Sequence, residues 1–212
     1  MDTQNQILKD AIVMMAKVIE SKEDSSGKHI DRIMNMTKFT VKKLEERGFL
    51  KYEEDSFEER IFIASALHDI GKGMISEKIL LKPGKLTFDE FEVIKRHTEL
   101  GAMMISGILK KHPQDKFLLI AKEIALSHHE KWDGTGYPLG KKEFEIPLSA
   151  RIVSIVDVYD ALRTKKSYKE EMSKEEALSK MKIQGGIHFD PEILEVFLNN
   201  IDKIEEERLK EE

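Results

Sequence analysis

Apolar residues recur along most of the chain at the three- and four-residue spacing of an amphipathic helix, and no segment alternates as a strand would. One helical stripe runs from Ile30 to Leu44, and a more apolar one runs from Phe57 to Asp69. The stripe that precedes them consists of Ile7, Leu8, Ala11, Ile12, Met15, Val18 and Ile19. The pattern predicts an all-α protein with one compact helical bundle and a short N-terminal helical extension.

Capping and turn residues divide this pattern into helices. Three helix starts carry the residues that satisfy free backbone N–H groups or fit the first helical turn. They are Thr87 with Glu90, Ser173 with Glu176, and Asp190 with Pro191. We expect an N-terminal helix and linker over residues 1–27, the main domain over 28–200, and a charged helical tail over 201–212. Because charge dominates from Ile204 to Glu212, we expect this part of the tail to fray into solvent.

Composition limits the classes of protein to which the chain can belong. Its 212 residues, 40% hydrophobic and 35% charged, are enough to bury the core of one domain. No apolar run approaches the roughly 18 residues that span a bilayer, and no signal peptide is evident, so we expect a cytoplasmic protein without membrane contact. The net charge of -5 argues against nucleic-acid binding through bulk positive charge. With no cysteine, any metal site must use His, Asp or Glu.

Histidines and aspartates form the candidate chemistry, and five of the seven histidines belong to one set. The set consists of His29, His68, Asp69, His97, His128, His129 and Asp157. Neutral imidazole and carboxylate are the ligands that iron, manganese or zinc accept. The His68-Asp69 pair alone is also compatible with a core histidine and a turn residue, and the His128-His129 pair alone is a weak signal. Asp157 could pair with Arg151 or a lysine instead. Four separate positions at helix ends or buried faces together favour a metal site.

Longer motifs surround these residues and occur in a characteristic order. They are His68-Asp69-Ile70-Gly71-Lys72, His97, His128-His129-Glu130, Asp133-Gly134-Thr135-Gly136-Tyr137-Pro138, Asp157-Val158-Tyr159-Asp160-Ala161-Leu162 and Gly186-Ile187-His188-Phe189-Asp190-Pro191. Over about residues 28–195 the chain resembles the HD-GYP family, a branch of the HD-domain metal-dependent phosphohydrolases. The resemblance implies an HD-domain-like helical bundle that hydrolyses the bacterial second messenger cyclic di-GMP to pGpG, with further cleavage to GMP left open.

The resemblance also implies roles for individual residues. The implied metal ligands are His29, His68, Asp69, His97, His128, His129 and Asp157. The implied substrate contacts are Gly136, Tyr137, Asp160, Ala161, Lys166 and Lys169. Asp69 and Lys72 are the candidate catalytic residues. Two divalent transition-metal ions are expected, with iron or manganese as the first choice and zinc, nickel or cobalt as alternatives.

Two departures from the family pattern bear on metal number and substrate. Members with three metals have a glutamate four residues before the first histidine, where this chain has Ser25, so two metals are the better expectation. The family often has Arg-Pro-Tyr where this chain reads Lys166-Ser167-Tyr168. Lysine keeps the positive charge but cannot make the two parallel hydrogen bonds of a guanidinium. The second departure therefore bears on the preference for cyclic di-GMP.

The chemistry of phosphodiester cleavage is consistent with this set of residues. Two metals bridged by Asp69 would hold a hydroxide for in-line attack on phosphorus, and Lys72 would stabilise the developing charge or protonate the leaving oxygen. Alternatives are a phosphohydrolase acting on another cyclic or linear dinucleotide, and a docking module whose Gly-Tyr-Pro loop binds a GGDEF-type or other signalling protein. The apolar stripe with Met14 and Met15 leaves both a monomer and a homodimer open.

Overall fold

The computed structural model describes residues 3–23, 27–50, 56–165 and 171–210, and these ranges contain helices but no strand. Two 3-10 turns cover Ile70–Met74 and Glu143–Glu145. The α-helices are α1 Thr3–Glu20, α2 Lys28–Glu46, α3 Phe57–Ser65, α4 Glu77–Leu80, α5 Phe88–Lys95, α6 His97–Leu109, α7 Lys116–Ser127, α8 Leu148–Arg163, α9 Lys174–Lys182, α10 Pro191–Asn199 and α11 Ile201–Leu209. The prediction of an all-α protein is confirmed.

The core lies between α2, α3, α7 and α8. Helix α2 packs against α3 and α8, while α7 packs against α3, α6 and α8. The central part of α8 is buried on nearly all sides, with Ile152, Val153, Ile155 and Val156 fully enclosed. A helix that is apolar around most of its circumference belongs in the interior of a bundle, so α8 carries its polar residues directly into the site described below.

The predicted helix starts are confirmed. The Thr87 hydroxyl accepts a hydrogen bond from the Glu90 N–H, and the Glu90 carboxylate accepts one from the Thr87 N–H at 2.8 Å. Asp190 caps α10 by accepting from the Glu192 N–H at 2.9 Å, with Pro191 in the first helical turn. These local signals place helix ends correctly because each is satisfied within one turn.

The third helix is shorter than the sequence pattern predicted. It ends at Ser65 instead of Asp69, and the chain then tightens into hydrogen bonds between residues three apart. The following 3-10 turn packs against α6 so closely that a Cβ on Gly71 would lie 1.9 Å from the His97 carbonyl oxygen. The close approach requires glycine, and it brings the turn that carries Asp69 against the first turn of α6.

The C-terminal tail differs from the prediction that it frays into solvent. Helix α11 packs against α2, and Ile204, Glu205 and Arg208 are buried. Arg208 donates to a carboxylate oxygen of Asp160 at 3.1 Å and to the Arg163 carbonyl at 2.8 Å. Helix α11 is held on the bundle because its charged side chains find buried partners that only the folded bundle supplies.

Helix α1 packs on the bundle through one face only. Ala16 is buried and Ile19 is partly buried, whereas the face containing Ile7, Met15 and Val18 is exposed. The predicted apolar stripe is therefore divided between a packed and an open side. No helix in the described ranges is both long and apolar enough to cross a membrane.

Candidate metal centre

The structure brings all seven predicted ligands together in two adjacent groups. One group consists of Asp69, His97, His128 and His129, and the other consists of His29, His68 and Asp157. Within each group the ligand atoms lie within 4.8 Å of one another. Segments far apart in the sequence therefore converge on two positions that could each hold a cation.

Asp69 lies between the two groups. One of its carboxylate oxygens is 3.1 Å from His97 Nε2, and the other is 3.3 Å from His68 Nε2. Asp157 faces the second group, with an oxygen 3.9 Å from His29 Nε2. A carboxylate that presents one oxygen to each group has the arrangement needed to bridge two cations.

Three of the histidines are oriented by backbone carbonyls. The Nδ1 atoms of His68, His97 and His128 each contact a carbonyl oxygen, which can only accept, so each Nδ1 carries a proton and donates it. The three acceptors belong to Ser65, Ile94 and Ile124, at 2.9, 2.7 and 2.9 Å. This leaves each Nε2 directed into the site as the ligand atom, which is the usual arrangement for histidines that bind metals.

His29 is oriented by a carboxylate instead. Its Nδ1 lies 2.8 Å from Asp160, whose two oxygens also accept from Arg32 at 2.6 and 2.8 Å and from Arg208 at 3.1 Å. Burial opposes the charge of Asp160, but hydrogen bonds from His29 and Arg32 outweigh it and hold the pKa of Asp160 well below its usual range. Asp160 is therefore a charged group that fixes the ring of His29.

This environment gives the Asp160 side chain a supporting role beside the candidate metal centre, and its predicted contact with substrate stays a prediction. The residue is only 1% exposed, and His29 and two arginines surround its carboxylate. Ala161 follows it on α8 and is half-buried.

Buried atoms without partners indicate that the site is built for cations. Six buried side-chain atoms of the described residues have no hydrogen-bond partner, and two of them, His68 Nε2 and one oxygen of Asp69, belong to the candidate ligands. Unpaired buried polar atoms are uncommon in native proteins, and a bound metal would satisfy both of these. The donor set, five imidazoles and two carboxylates without sulfur, fits first-row transition metals.

The electrostatics of the site also fit bound cations. Burial lowers the pKa of His68, but the negative charge of the neighbouring Asp69 outweighs it and raises that pKa to about 9. A metal at Nε2 would take the place of that proton. Burial, reinforced by neighbouring histidines, holds the pKa of His129 well below its usual value, so its ring is neutral and free to bind a metal.

Lys72 lies beside the centre, as the sequence predicted. Its ammonium is 2.8 Å from Asp69 and 2.9 Å from Glu23, which follows α1. Burial opposes its charge, but Asp69, Glu20 and Glu23 outweigh that effect and raise the pKa of Lys72 well above its usual value. The lysine is therefore charged, and the N-terminal segment contributes to its position.

The Gly-Tyr-Pro loop is held against the metal ligands. Glu130 is buried and accepts from the Leu139 and Lys141 N–H groups at 2.8 and 3.1 Å, which closes the loop. A Cβ on Gly136 would lie 2.3 Å from the Lys131 nitrogen, so this position requires glycine for packing. The backbone of the loop therefore packs directly against the segment that follows the candidate ligands His128 and His129.

Tyr137 covers the ligand His129. Its ring centroid lies 4.8 Å from that of His129 at an angle of 30°, and its N–H donates to the His129 carbonyl at 3.2 Å. Burial, with the charges of Asp69 and Asp157, raises the pKa of Tyr137, so its hydroxyl keeps its proton. One face of the Tyr137 ring thus lies against the candidate ligand His129. The charges of Asp69 and Asp157 act on the Tyr137 hydroxyl.

Several residues of the site were not predicted, and three predicted positions are not described. Glu130 follows the His128-His129 pair, and that adjacency was the only local signal of its role. Glu20, Glu23, Arg32 and Arg208 had no local signal at all. Lys166, Lys169 and the Ser25 departure lie outside the described residues, so their predicted roles stay predictions.

The chain is similar in sequence to known proteins of one family. The HD domain family matches residues 13–193. A probable cyclic di-GMP phosphodiesterase from Vibrio cholerae is 42% identical over 196 residues, covering 90% of this chain and 44% of that protein. A 3'3'-cGAMP-specific phosphodiesterase 2 from the same organism is 34% identical over 195 residues, covering 92% of this chain and 35% of that protein. The chain thus spans less than half the length of these curated relatives.

A solved structure shows the same fold. Bd1817, an HDG"Y"P protein from Bdellovibrio bacteriovorus, superimposes with a TM-score of 0.60 at 20% identity, over 93% of this chain and 63% of that chain. At this identity the likeness extends to the arrangement of helices, while the family match covers most of the sequence. Together with the ordered motifs from His68 to Pro191, these findings show that the chain belongs to the HD-domain family, in its HD-GYP branch.

Proposed function

We propose that this domain is a metal-dependent phosphodiesterase that hydrolyses cyclic di-GMP to pGpG. The observation that carries the proposal is the position of Asp69, which presents one oxygen to each of two ligand groups beside a charged lysine. Iron or manganese is the expected metal, and two ions are the expected number, because the ligands divide into two groups.

The protein's contribution to the reaction follows from these contacts. Two bound metals would neutralise the phosphodiester charge and activate a water for in-line attack. Backbone carbonyls and Asp160 hold the imidazoles so that little reorganisation is needed when the metals and substrate bind. Asp69 remains a carboxylate because Lys72 and His68, both cationic before metal binding, outweigh the effect of burial and keep its pKa well below the usual value.

Lys72 is the candidate for stabilising the leaving group. Its ammonium carries three donors, of which Asp69 and Glu23 occupy two positions, so it can also donate to a phosphate or leaving oxygen at the edge of the site. Charge-assisted hydrogen bonds are the strong class, and they act where negative charge develops. Lys72 would therefore lower the barrier for departure of the ribose oxygen.

The second candidate substrate is a mixed cyclic dinucleotide. One relative at 34% identity is a 3'3'-cGAMP-specific phosphodiesterase, and lysine replaces the usual arginine at position 166. A role of the Gly-Tyr-Pro loop in binding a GGDEF-type protein, and the choice between monomer and homodimer, stay predictions from the sequence.

The function is tested with protein purified anaerobically and loaded with manganese or ferrous iron. We expect two metal ions per chain and conversion of cyclic di-GMP to pGpG, measured by chromatography, with cyclic GMP-AMP and pGpG as competing substrates. Conversion of only the mixed dinucleotide would favour the second candidate. Full metal occupancy without turnover of any dinucleotide would contradict the proposal and favour a binding module.

Glu23→Gln tests whether the N-terminal segment positions Lys72. Loss of one of the two carboxylates that hold the ammonium is expected to lower kcat by roughly tenfold with little change in KM, because a charge-assisted contact is lost near the developing charge. Asp31→Asn is the matched control, since it breaks the 2.5 Å ion pair with Lys17 that also ties α1 to the bundle, whereas the ion-pair partners of Lys72 are Glu23 and Asp69. Equal effects of the two variants would mean that Glu23 only fastens the helix.

A further inference from the structure

Resting on the proposed function, we infer that Phe91 and Lys95 on α5 form a nucleobase-stacking subsite at the edge of the metal centre. The sequence motifs assigned no role to either residue. In this subsite a purine base of the dinucleotide would stack on Phe91 while the phosphate lies on the metals.

The first observation is a continuous series of aromatic rings that begins at a metal ligand. The ring of His129 lies 4.8 Å from that of Tyr137, and Tyr137 lies 6.5 Å from Phe91 in a T-shaped contact. His129 already occupies one face of Tyr137. Phe91 is therefore the last ring of the series, and it is more exposed than Tyr137.

The second observation is that burial does not explain Phe91. Its side chain is 43% exposed, and α5 has no buried residue in the described chain. An aromatic ring with one edge on Tyr137 and a large exposed surface resembles the platforms on which nucleobases stack in proteins that bind single strands. Its neighbour Tyr137 is held in place by the loop, so the platform is supported on one side.

The third observation is the placement of positive charge. The Lys95 ammonium lies 5.1 Å from the centre of the Phe91 ring and 5.4 Å from that of Tyr137. The Glu92 carboxylate lies 2.6 Å from the Lys95 ammonium, and the Glu92 side chain is 45% exposed. Because an exposed ion pair is weak, Lys95 can exchange Glu92 for an anionic ligand. An aromatic surface next to a cation, beside a phosphodiester-cleaving centre, suits a purine nucleotide better than a small phosphoester.

Phe91 and Lys95 are close in sequence to the candidate metal ligand His97. Lys95 is the last residue of α5, and His97 begins α6 two residues later with its Nδ1 held by the Ile94 carbonyl. A base is joined to its phosphate through a single ribose, so a nucleotide on the metals carries its base to the rim formed by α5 and the Gly-Tyr-Pro loop. A small synthetic diester has no such group to place there.

Kinetics on two substrates separate base binding from chemistry. Phe91→Ala is expected to raise KM for cyclic di-GMP by roughly 10- to 100-fold, which corresponds to the loss of one base–aromatic stack. Hydrolysis of bis(p-nitrophenyl) phosphate and metal content should stay at wild-type values. Phe91→Trp should restore most of the affinity because it restores a flat ring. Lys95→Gln should raise KM about 2- to 5-fold, more at low salt.

Phe88→Ala is the matched control. Phe88 lies one turn earlier on the same helix, is 77% exposed, and makes no ring contact among the described residues. Equal KM values for Phe88→Ala and Phe91→Ala, or equal losses on both substrates, would overturn the subsite. Binding of cyclic di-GMP, measured in parallel by equilibrium dialysis, extends the test to a protein without turnover. Absence of turnover in the wild type contradicts the proposed function, whereas equal binding by the two alanine variants contradicts the stacking platform.

Discussion

Asp69→Asn is expected to lower hydrolysis of cyclic di-GMP by about three orders of magnitude or more, because several kcal/mol of metal-derived stabilisation depend on this carboxylate. Its two oxygens face different ligand groups, at 3.1 Å from His97 Nε2 and 3.3 Å from His68 Nε2. An amide offers one oxygen and a nitrogen that carries hydrogens, so it cannot bridge two cations. Its neutral side chain also removes one of the three carboxylates that offset the charge of the Lys72 ammonium.

Metal analysis distinguishes loss of the bridge from loss of the fold. We expect Asp69→Asn to retain helical circular dichroism while binding fewer than two metals per chain. Ser154→Ala is a control within the same interior, since Ser154 is buried on α8 but belongs to neither ligand group. Substantial turnover by Asp69→Asn with both metals bound would contradict the bridging role.

Asp160→Asn is expected to destabilise the fold and weaken metal binding together. Breaking a buried ion pair by neutralising one partner costs about 3–5 kcal/mol, and here Arg32 and Arg208 both lose their carboxylate. The ring of His29 also loses its charged acceptor at 2.8 Å, and loss of such a supporting contact weakens metal affinity roughly 10- to 100-fold. Denaturant unfolding and metal titration measure the two effects separately.

Asp190→Asn provides the comparison for this prediction. Asp190 is also buried and pairs with an arginine, Arg151, at 2.5 Å, but it touches no metal ligand. It should lose stability by a similar amount and keep its metal affinity. If Asp160→Asn instead raised KM with normal stability and metal content, Asp160 would be a substrate contact after all, as the family resemblance implied.

The candidate site was predictable to the extent that its residues occur in motifs. The seven candidate ligands and Lys72 were predicted from adjacent pairs and ordered motifs, and the structure brings their side chains together. The role of Asp160 was not predictable in the same way, because its partner Arg208 lies 48 residues later, in a tail that looked merely charged. Glu23 escaped notice for a similar reason, since nothing local connects it to Lys72.

The amino-acid sequence by itself determined the helices, their caps and the chemical type of the centre. Helical periodicity and capping are satisfied within one or two turns, and the ligand types follow from residue identity. Tertiary structure alone decided that Asp69 would face both ligand groups, that Asp160 would point inward to two arginines, and that α5 would place Phe91 against Tyr137. These arrangements depend on how helices distant in sequence pack, and packing of that kind leaves no periodic signal along the chain.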